Sequence, residues 1–386
     1  MKITKIEVFQ VAVPLRRIHR MAAGGDDIEL GKYPIIKVHT DEGIVGLGEA
    51  PVLKEWGGDH GVYFGESPKT VMIVIQEYLA PVIVDEDPFR IEWIHTLMDR
   101  TIKGHLYAKA TIDFALYDIV GKALNVPVYQ LLGGLYRRRI PLAHSIGIME
   151  PEKAASEAAI AVEDGIKTIK LKIGLDPSRD ISAVREVRKV VGPDVDITVD
   201  GNQGFSTPKE AIKVLRKMEE YDVLFAEQPV EGLEAMAEVT QALTMPVMAD
   251  ESAWTSRDIL RILEKRAANI ISLYPTKPGG LFKAKQVAAV CEAGGLPCNV
   301  NGSAELGVAN AVNLHLSAST KMVTHACVYP VTTLEGREMT KIAGRFYLDD
   351  IITEPFRYEE GYLVVPDGPG LGVELDERKV EQYRIA

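Results

Sequence analysis

The chain has 386 residues, with 46% hydrophobic and 26% charged side chains, a composition that makes a soluble globular protein with a large core and excludes wholesale disorder. A formal net charge of −11 argues against nucleic acid or an anionic membrane as partner, since both select a basic face. Three widely placed cysteines, Cys291, Cys298 and Cys327, do not make a disulfide framework. No long apolar run or basic leader opens the sequence, so a cytoplasmic location is the expectation.

Residues 1 to about 50 read as strands. Ile3–Val13 largely alternates, and Ile35–Thr40 and Gly43–Ala50 flank Asp41-Glu42 as the arms of a hairpin would. Pro68–Leu79, Pro88–Thr101 and Ala108–Leu124 then carry apolar residues at helical spacing. Strands followed by helices predict an α+β unit. From about residue 138 the pattern becomes a regular alternation. Apolar runs at 140–148, 168–173, 195–199, 223–226, 246–249, 269–274, 296–300 and 323–328 alternate with amphipathic segments, which predicts a (β/α)8 barrel. The boundaries fall at 1–130 for the α+β unit, 131–340 for the barrel and 341–386 for a tail that returns to the first unit.

Four of the apolar runs end in charged residues: Lys170-Leu-Lys172, then Asp200, Glu227 and Asp250, each about one βα unit after the last. Parallel barrel strands all end at one mouth, so residues one βα unit apart become neighbours there. Three converging carboxylates make an oxygen-rich seat for a hard divalent cation, Mg²⁺ or alternatively Mn²⁺. A Lys-x-Lys pair alone is more often a solvated strand face; three acids in series behind it change that reading. Asn202 is a turn residue or a substrate hydrogen-bonding group.

Together with Gly46-Leu-Gly-Glu-Ala50, Ala108–Asp118, Pro127–Gly134, Gly279-Gly280 and Gly368-Pro-Gly-Leu-Gly372, these residues resemble the enolase superfamily, in its mandelate racemase and muconate-lactonizing branch. The resemblance implies an α+β capping domain over the barrel, a metal held by Asp200, Glu227 and Asp250, and abstraction by a lysine of the proton α to a carboxylate. Asp250 is preferred to its neighbour Glu251 because the family pattern places it so. On this reading Lys172 is the base and Lys170 its electrostatic partner, and the reaction is an isomerisation (a cycloisomerisation or epimerisation) or a syn-dehydration of a small carboxylic acid. Fold-level analogy favours a symmetric homo-oligomer.

The chain departs from the family at the sixth strand, where the second lysine is replaced by Tyr274, within Ser272-Leu-Tyr-Pro-Thr-Lys-Pro-Gly-Gly280. Lys277 matches a family basic residue outside the acid–base pair. Tyr274 therefore either donates a proton or only lines the pocket, and a symmetric two-base racemisation is not expected. A histidine ending the seventh strand is also missing, with Asn301 in its place, and Glu305 matches a family acid at that end. The segment His325–Pro330 has no Asp-x-Asp pair of the sort expected in the family's dipeptide epimerases. Specificity is assigned to loops around Arg16–Met21 and Trp56–Tyr63, with Trp56, Asn202, Glu305 and Lys277 as substrate-contact candidates. A metal-bound, non-catalytic binding protein on the same fold is the alternative.

Overall fold

The computed structural model describes residues 1–16, 19–22, 30–52, 66–302, 304–334 and 337–385. Three antiparallel strands open the chain, β1 (Ile3–Pro14), β2 (Leu30–Thr40) and β3 (Val45–Glu49), paired in that order. The hairpin predicted at Asp41-Glu42 closes through Gly43, whose φ of 80° lies in the left-handed region that glycine enters without a Cβ penalty. Helices follow at 68–83, Ile91–Thr101 and Leu106–Leu124, the first with a π-wound middle turn at Val74–Leu79. Its start is fixed by a capping box in which Ser67 accepts from Thr70.

The segment predicted as one strand over 140–148 is two. β4 (Arg139–Pro141) lies outside the barrel, and β5 (Ala143–Ile146) is the first barrel strand. Pro141 ends the first ladder because it has no N–H to donate. Six further parallel strands follow: β6 (Thr168–Lys172), β7 (Asp196–Asp200), β8 (Val223–Glu227), β9 (Val247–Ala249), β10 (Ile270–Leu273) and β11 (Cys298–Val300). Together β5 to β11 form one curled sheet in sequence order, with a helix after each strand. The predicted eighth strand at 323–328 is an irregular segment. Val323 bridges Cys298 and Cys327 bridges Leu142, so the segment changes partners after single pairs and closes the sheet without forming a ladder. Pro151, Pro177 and Pro208 each stand in the first turn of a barrel helix, where the missing N–H costs nothing.

The tail folds back. β12 (Tyr358–Glu359) and β13 (Tyr362–Val364) pair antiparallel, and β13 takes β4 as its other neighbour. The backbone N–H groups of Leu348 and Ile385 donate to Pro14 and Gln10 of β1, both at 2.9 Å. No helix among the described residues is long and apolar enough to cross a membrane.

Buried carboxylates join the N-terminal elements to the barrel. Glu49 accepts from the N–H groups of Leu306 (2.7 Å) and Ala309 (2.9 Å), at the start of helix Gly307–Ser319. Asp113 accepts from Leu281 (2.5 Å), the first residue of helix Leu281–Ala293, and its other oxygen meets His95 Nε2 at 2.7 Å. Asp118 ties the same unit to the tail instead, accepting from Leu47 (2.9 Å) and Leu371 (2.8 Å). Helix N-termini leave N–H groups without intrahelical partners, and a carboxylate satisfies them while matching the helix dipole. Gly280 makes the close approach possible, since a Cβ there would stand 2.2 Å from Asp113 Cγ.

Glu66 plays a similar part, accepting from Tyr107 (2.9 Å) and Ala108 (3.3 Å) at the start of helix Leu106–Leu124. Burial nevertheless pushes its carboxyl from the ordinary 4.5 up to about 7. The folded chain thus holds this proton more tightly than the unfolded chain does. Its contribution to stability is complete below about pH 4.5 and is lost as the pH rises through 7. The span corresponds to about 3 kcal/mol. Glu66→Gln should remove that slope, so the variant gains stability relative to the parent at pH 8 and not at pH 4, in urea titrations at the two pH values.

Candidate active site

Strand register builds the site. Side chains two apart on a strand share a face, so Thr168, Lys170 and Lys172 all point into the barrel. In the β6–β7 ladder Lys170 is level with Thr198 and Lys172 with Asp200; in the next ladder Asp200 is level with Glu227. Glu227 is level with Met248, and the same alternation brings Asp250, two residues on, to the interior face. Lys170, Lys172, Asp200, Glu227 and Asp250 are all buried.

Their contacts form a continuous network. Lys170 Nζ stands 2.9 Å from Asp200 Oδ2 and 2.9 Å from Glu227 Oε1. Lys172 Nζ donates to Asp200 Oδ2 and to Asn202 Oδ1, both at 2.7 Å. Asn202, at a φ of 40°, also donates from Nδ2 to Glu251 Oε1 (3.1 Å) and from its backbone to Asp200 Oδ1 (2.9 Å). Its amide is therefore engaged in orienting Lys172. Lys277 donates to a side-chain oxygen of Asp250, to the Asp250 carbonyl (2.8 Å) and to the Ser272 carbonyl (3.2 Å). That ammonium is bound to the acid and the strand ends.

Burial disfavours the charged form of Asp200, yet Lys170 and Lys172 outweigh it and hold its carboxyl well below the usual range. Glu227 moves the other way, to about 7, because burial and the charges of Asp200 and Asp250 prevail over Lys170. For Lys170 the three carboxylates overcome burial and raise the pKa, so it stays an ammonium.

Tyr274 is 2% exposed and lies on the same rim, its hydroxyl 3.5 Å from the Gly302 carbonyl and its ring 4.3 Å from Lys277 Nζ. Burial, then the charges of Asp250, Glu227, Glu305 and Asp200, push its pKa well above the ordinary value. Those causes favour the protonated phenol. Glu305 is buried beside Gly302, where an added Cβ would stand 2.3 Å from Glu305 Oε2. From the N-terminal unit, His19 Nε2 reaches Ser145 Oγ at 3.2 Å on the first barrel strand. Trp56 and the rest of the Trp56–Tyr63 loop lie outside the described residues.

Other residues of the network were not among the site candidates. Asn301 donates to Glu227 Oε1 (3.2 Å) and Ser272 Oγ (2.9 Å). Gln228 Oε1 accepts from the backbone N–H groups of Asp250 (2.9 Å) and Ser252 (3.1 Å), fixing the turn that presents Asp250. The available signal was a run of polar residues at interior strand positions, Ser272, Asn299 and Asn301, where a barrel core is ordinarily apolar.

Three carboxylate donors on neighbouring strand ends suit a hard cation that takes oxygen ligands. Asp250 Oδ2 is buried with no hydrogen-bond partner among the described residues, a lone pair set available to such an ion. Asp200 Oδ2, both Glu227 oxygens and Asp250 Oδ1 are turned to lysines and Asp200 Oδ1 to the Asn202 N–H, and among the described residues no three His, Cys, Asp or Glu side chains are drawn together as a finished coordination shell. Ammonium groups and a divalent ion compete for the same oxygens. The donor chemistry fits the ion, and the residues that would hold it are Asp200, Glu227 and Asp250.

Comparison with known proteins agrees with this architecture. Residues 3–133 match the mandelate racemase / muconate lactonizing enzyme N-terminal domain, and residues 153–379 match the enolase C-terminal domain-like family. The chain is 33% identical to N-succinyl-L-Arg/Lys racemase of Bacillus cereus, over 100% of this chain and 98% of that protein. The crystal structure of that racemase superposes with a TM-score of 0.90, covering 100% of this chain and 99% of the other at 32% identity. Muconate cycloisomerase 1 of Rhodococcus opacus is 31% identical over 99% of this chain and 98% of its own length. A dipeptide epimerase from Enterococcus faecalis, solved with Mg and the dipeptide L-Leu-L-Tyr, gives a TM-score of 0.85 at 30% identity, covering 97% of this chain and 100% of the other. With both of its domains matched and its whole length aligned to racemases, epimerases and cycloisomerases, the chain belongs to the mandelate racemase and muconate-lactonizing branch of the enolase superfamily, a family of enzymes.

Proposed function

We propose that the protein abstracts a proton α to the carboxylate of a small organic acid, with Lys172 as the base, and returns a proton to complete an isomerisation or a syn-elimination. The observation that carries this reading is the pair of hydrogen bonds, both 2.7 Å, that aim Lys172 Nζ across the acid cluster from Asp200 and Asn202. Mg²⁺ held by Asp200, Glu227 and Asp250 would stabilise the negative charge that develops on the substrate carboxylate. Lys170, kept cationic, adds positive charge beside it, and Lys277 steadies Asp250. Residues 1–130 cap the barrel of residues 131–340, and the 341–386 tail ties the two together.

Tyr274 separates the candidate reactions. A 1,1-proton transfer that inverts the α-carbon needs a donor on the face opposite Lys172, and a tyrosine held protonated suits donation only. Elimination and cycloisomerisation need one face, which Lys172 serves alone. One-base chemistry is therefore the reading these residues favour. The absence of an Asp-x-Asp pair in His325–Pro330 argues against dipeptides as substrate. The relatives' own substrates, succinylated amino acids and muconates, define the classes to try first.

Tyr274→Phe should leave turnover within about threefold of the parent, far from the 10²–10⁴-fold typical of losing an acid–base group. Steady-state kinetics on whichever acid turns over decides it: a Tyr274→Phe enzyme as inactive as one lacking Lys172 would overturn the one-base model. Retention of a bound metal with no exchange into any acid would favour the alternative of a binding protein.

A further inference from the structure

Barrel interiors are ordinarily filled by layers of branched apolar side chains. Here the lowest layer is divided. On one side Phe225, Met248 and Ile270 pack into a small apolar cluster of their own. On the other, the inward positions carry Thr168, Thr198 and Asn299, which are too small to meet across the barrel, and a void of about 80 Å³ is left between them. Lys170 and Glu227 line its inner end. Its outer end, at the floor opposite the catalytic mouth, is ringed by Asp196 and Thr324, both exposed, and by His325, whose ring packs edge-on against Phe225 with centroids 5.4 Å apart.

Asn299 is 2% exposed, and its Nδ2 donates to Asn301 Oδ1 at 2.9 Å and to the Ala326 carbonyl at 3.4 Å. Its Oδ1 is buried and has no hydrogen-bond partner among the described residues. A buried amide oxygen left unpaired costs about 1–3 kcal/mol, and a polar void with room for several waters, each needing about 10–15 Å³, is the usual remedy.

We propose that this void is a water-binding chamber, open to solvent at the barrel floor, that hydrates Lys170 and Glu227 from the side opposite the substrate mouth. Its ligand is water, held by Asn299 Oδ1 and by the hydroxyls of Thr168 and Thr198. The chamber gives the rear of the acid–lysine network a solvent contact that closure of the mouth over a substrate does not remove. The assignment stands on the void and its lining and is independent of the reaction proposed above.

A high-resolution crystal structure of the full chain, with a second crystal pressurised under xenon, tests it. Two or more ordered waters within hydrogen-bond distance of Asn299 Oδ1 and the threonine hydroxyls, with no xenon in the void, are expected. Xenon density there, or a void without water, overturns the proposal. Ala143→Leu, which projects into the same space, gives a thermodynamic reading of opposite sign for the two cases. Filling a hydrated polar chamber strands Asn299 and should lower Tm by a few degrees, whereas filling a dry hole should raise it, and a rise would contradict the proposal. If that variant does not fold, the water and xenon maps of the parent protein still decide.

Discussion

Replacing Lys172 with alanine should lower turnover by at least about 10³-fold, within the range that loss of a positioned acid–base group produces. The reason is positional. Lys172 is the amine on β6 that Asn202 and Asp200 jointly orient, while Lys170, one inward position deeper, is held between Asp200 and Glu227 as a permanent ammonium. The two lysines should therefore fail differently. The Lys172→Ala protein keeps all three carboxylates, and its Mg²⁺ affinity, measured by isothermal titration, should stay within a few-fold of the parent. An alanine variant that still turns over at a tenth of the parent rate would remove Lys172 from the role assigned to it.

Asp200→Asn should be costly to the fold as well as to the chemistry. The Asp200 side chain is fully buried and pairs with both Lys170 (2.9 Å) and Lys172 (2.7 Å). Removing one member of a buried ion-pair network leaves charge without compensation, at about 3–5 kcal/mol. Asparagine keeps the volume and one acceptor oxygen, so the loss is electrostatic, with no cavity created. Thermal unfolding of the variant without added metal should show the full decrease in Tm. Added Mg²⁺ should raise the parent's Tm through preferential binding to the native state and raise the variant's much less. Equal stability of variant and parent would mean that the lysines find other partners and that Asp200 is not the centre of the network.

Much of this was legible in the sequence, for physical reasons that also mark where it stopped. The barrel and its acid series could be read because strand alternation and βα length jointly fix which residues reach the mouth, and Lys172, Asp200 and Glu227 do fall level in successive ladders. The eighth strand was harder. Its apolar run at 323–328 looks like any other, but the closing segment exchanges partners after single bridges, a tertiary property with no local signature. The split of 140–148 into β4 and β5 likewise depended on the distant β13.

At the site, the residues that carry charge could be named from their spacing, whereas the neutral residues that orient them could not. Asn202 could be read as a turn residue or a substrate hydrogen-bonding group, yet its amide lies between Lys172 and Glu251, a relation of three strands. Gln228 gave no signal, because an amide just past a strand end is usually an ordinary surface residue, and Asn301 stood out only as the residue in a family histidine's slot, with nothing to show its bond to Glu227. Glu49 and Asp113 could be quoted as parts of motifs. Their function as caps on barrel helices Gly307–Ser319 and Leu281–Ala293 emerges only when the N-terminal unit is docked.

The most direct test of the account is solvent deuterium incorporation, followed by mass spectrometry in D₂O. The parent protein with Mg²⁺ would be incubated with a panel of N-succinyl amino acids, other N-modified amino acids, sugar acids and unsaturated diacids, alongside the Lys172→Ala variant and a chelator-treated control. Mg²⁺-dependent uptake of one deuteron is expected, at the α-carbon or at the carbon that becomes α in a cycloisomerised product, delivered to a single face and lost in both controls. Uptake that survives Lys172→Ala, or equal labelling of both faces by the parent, would contradict it.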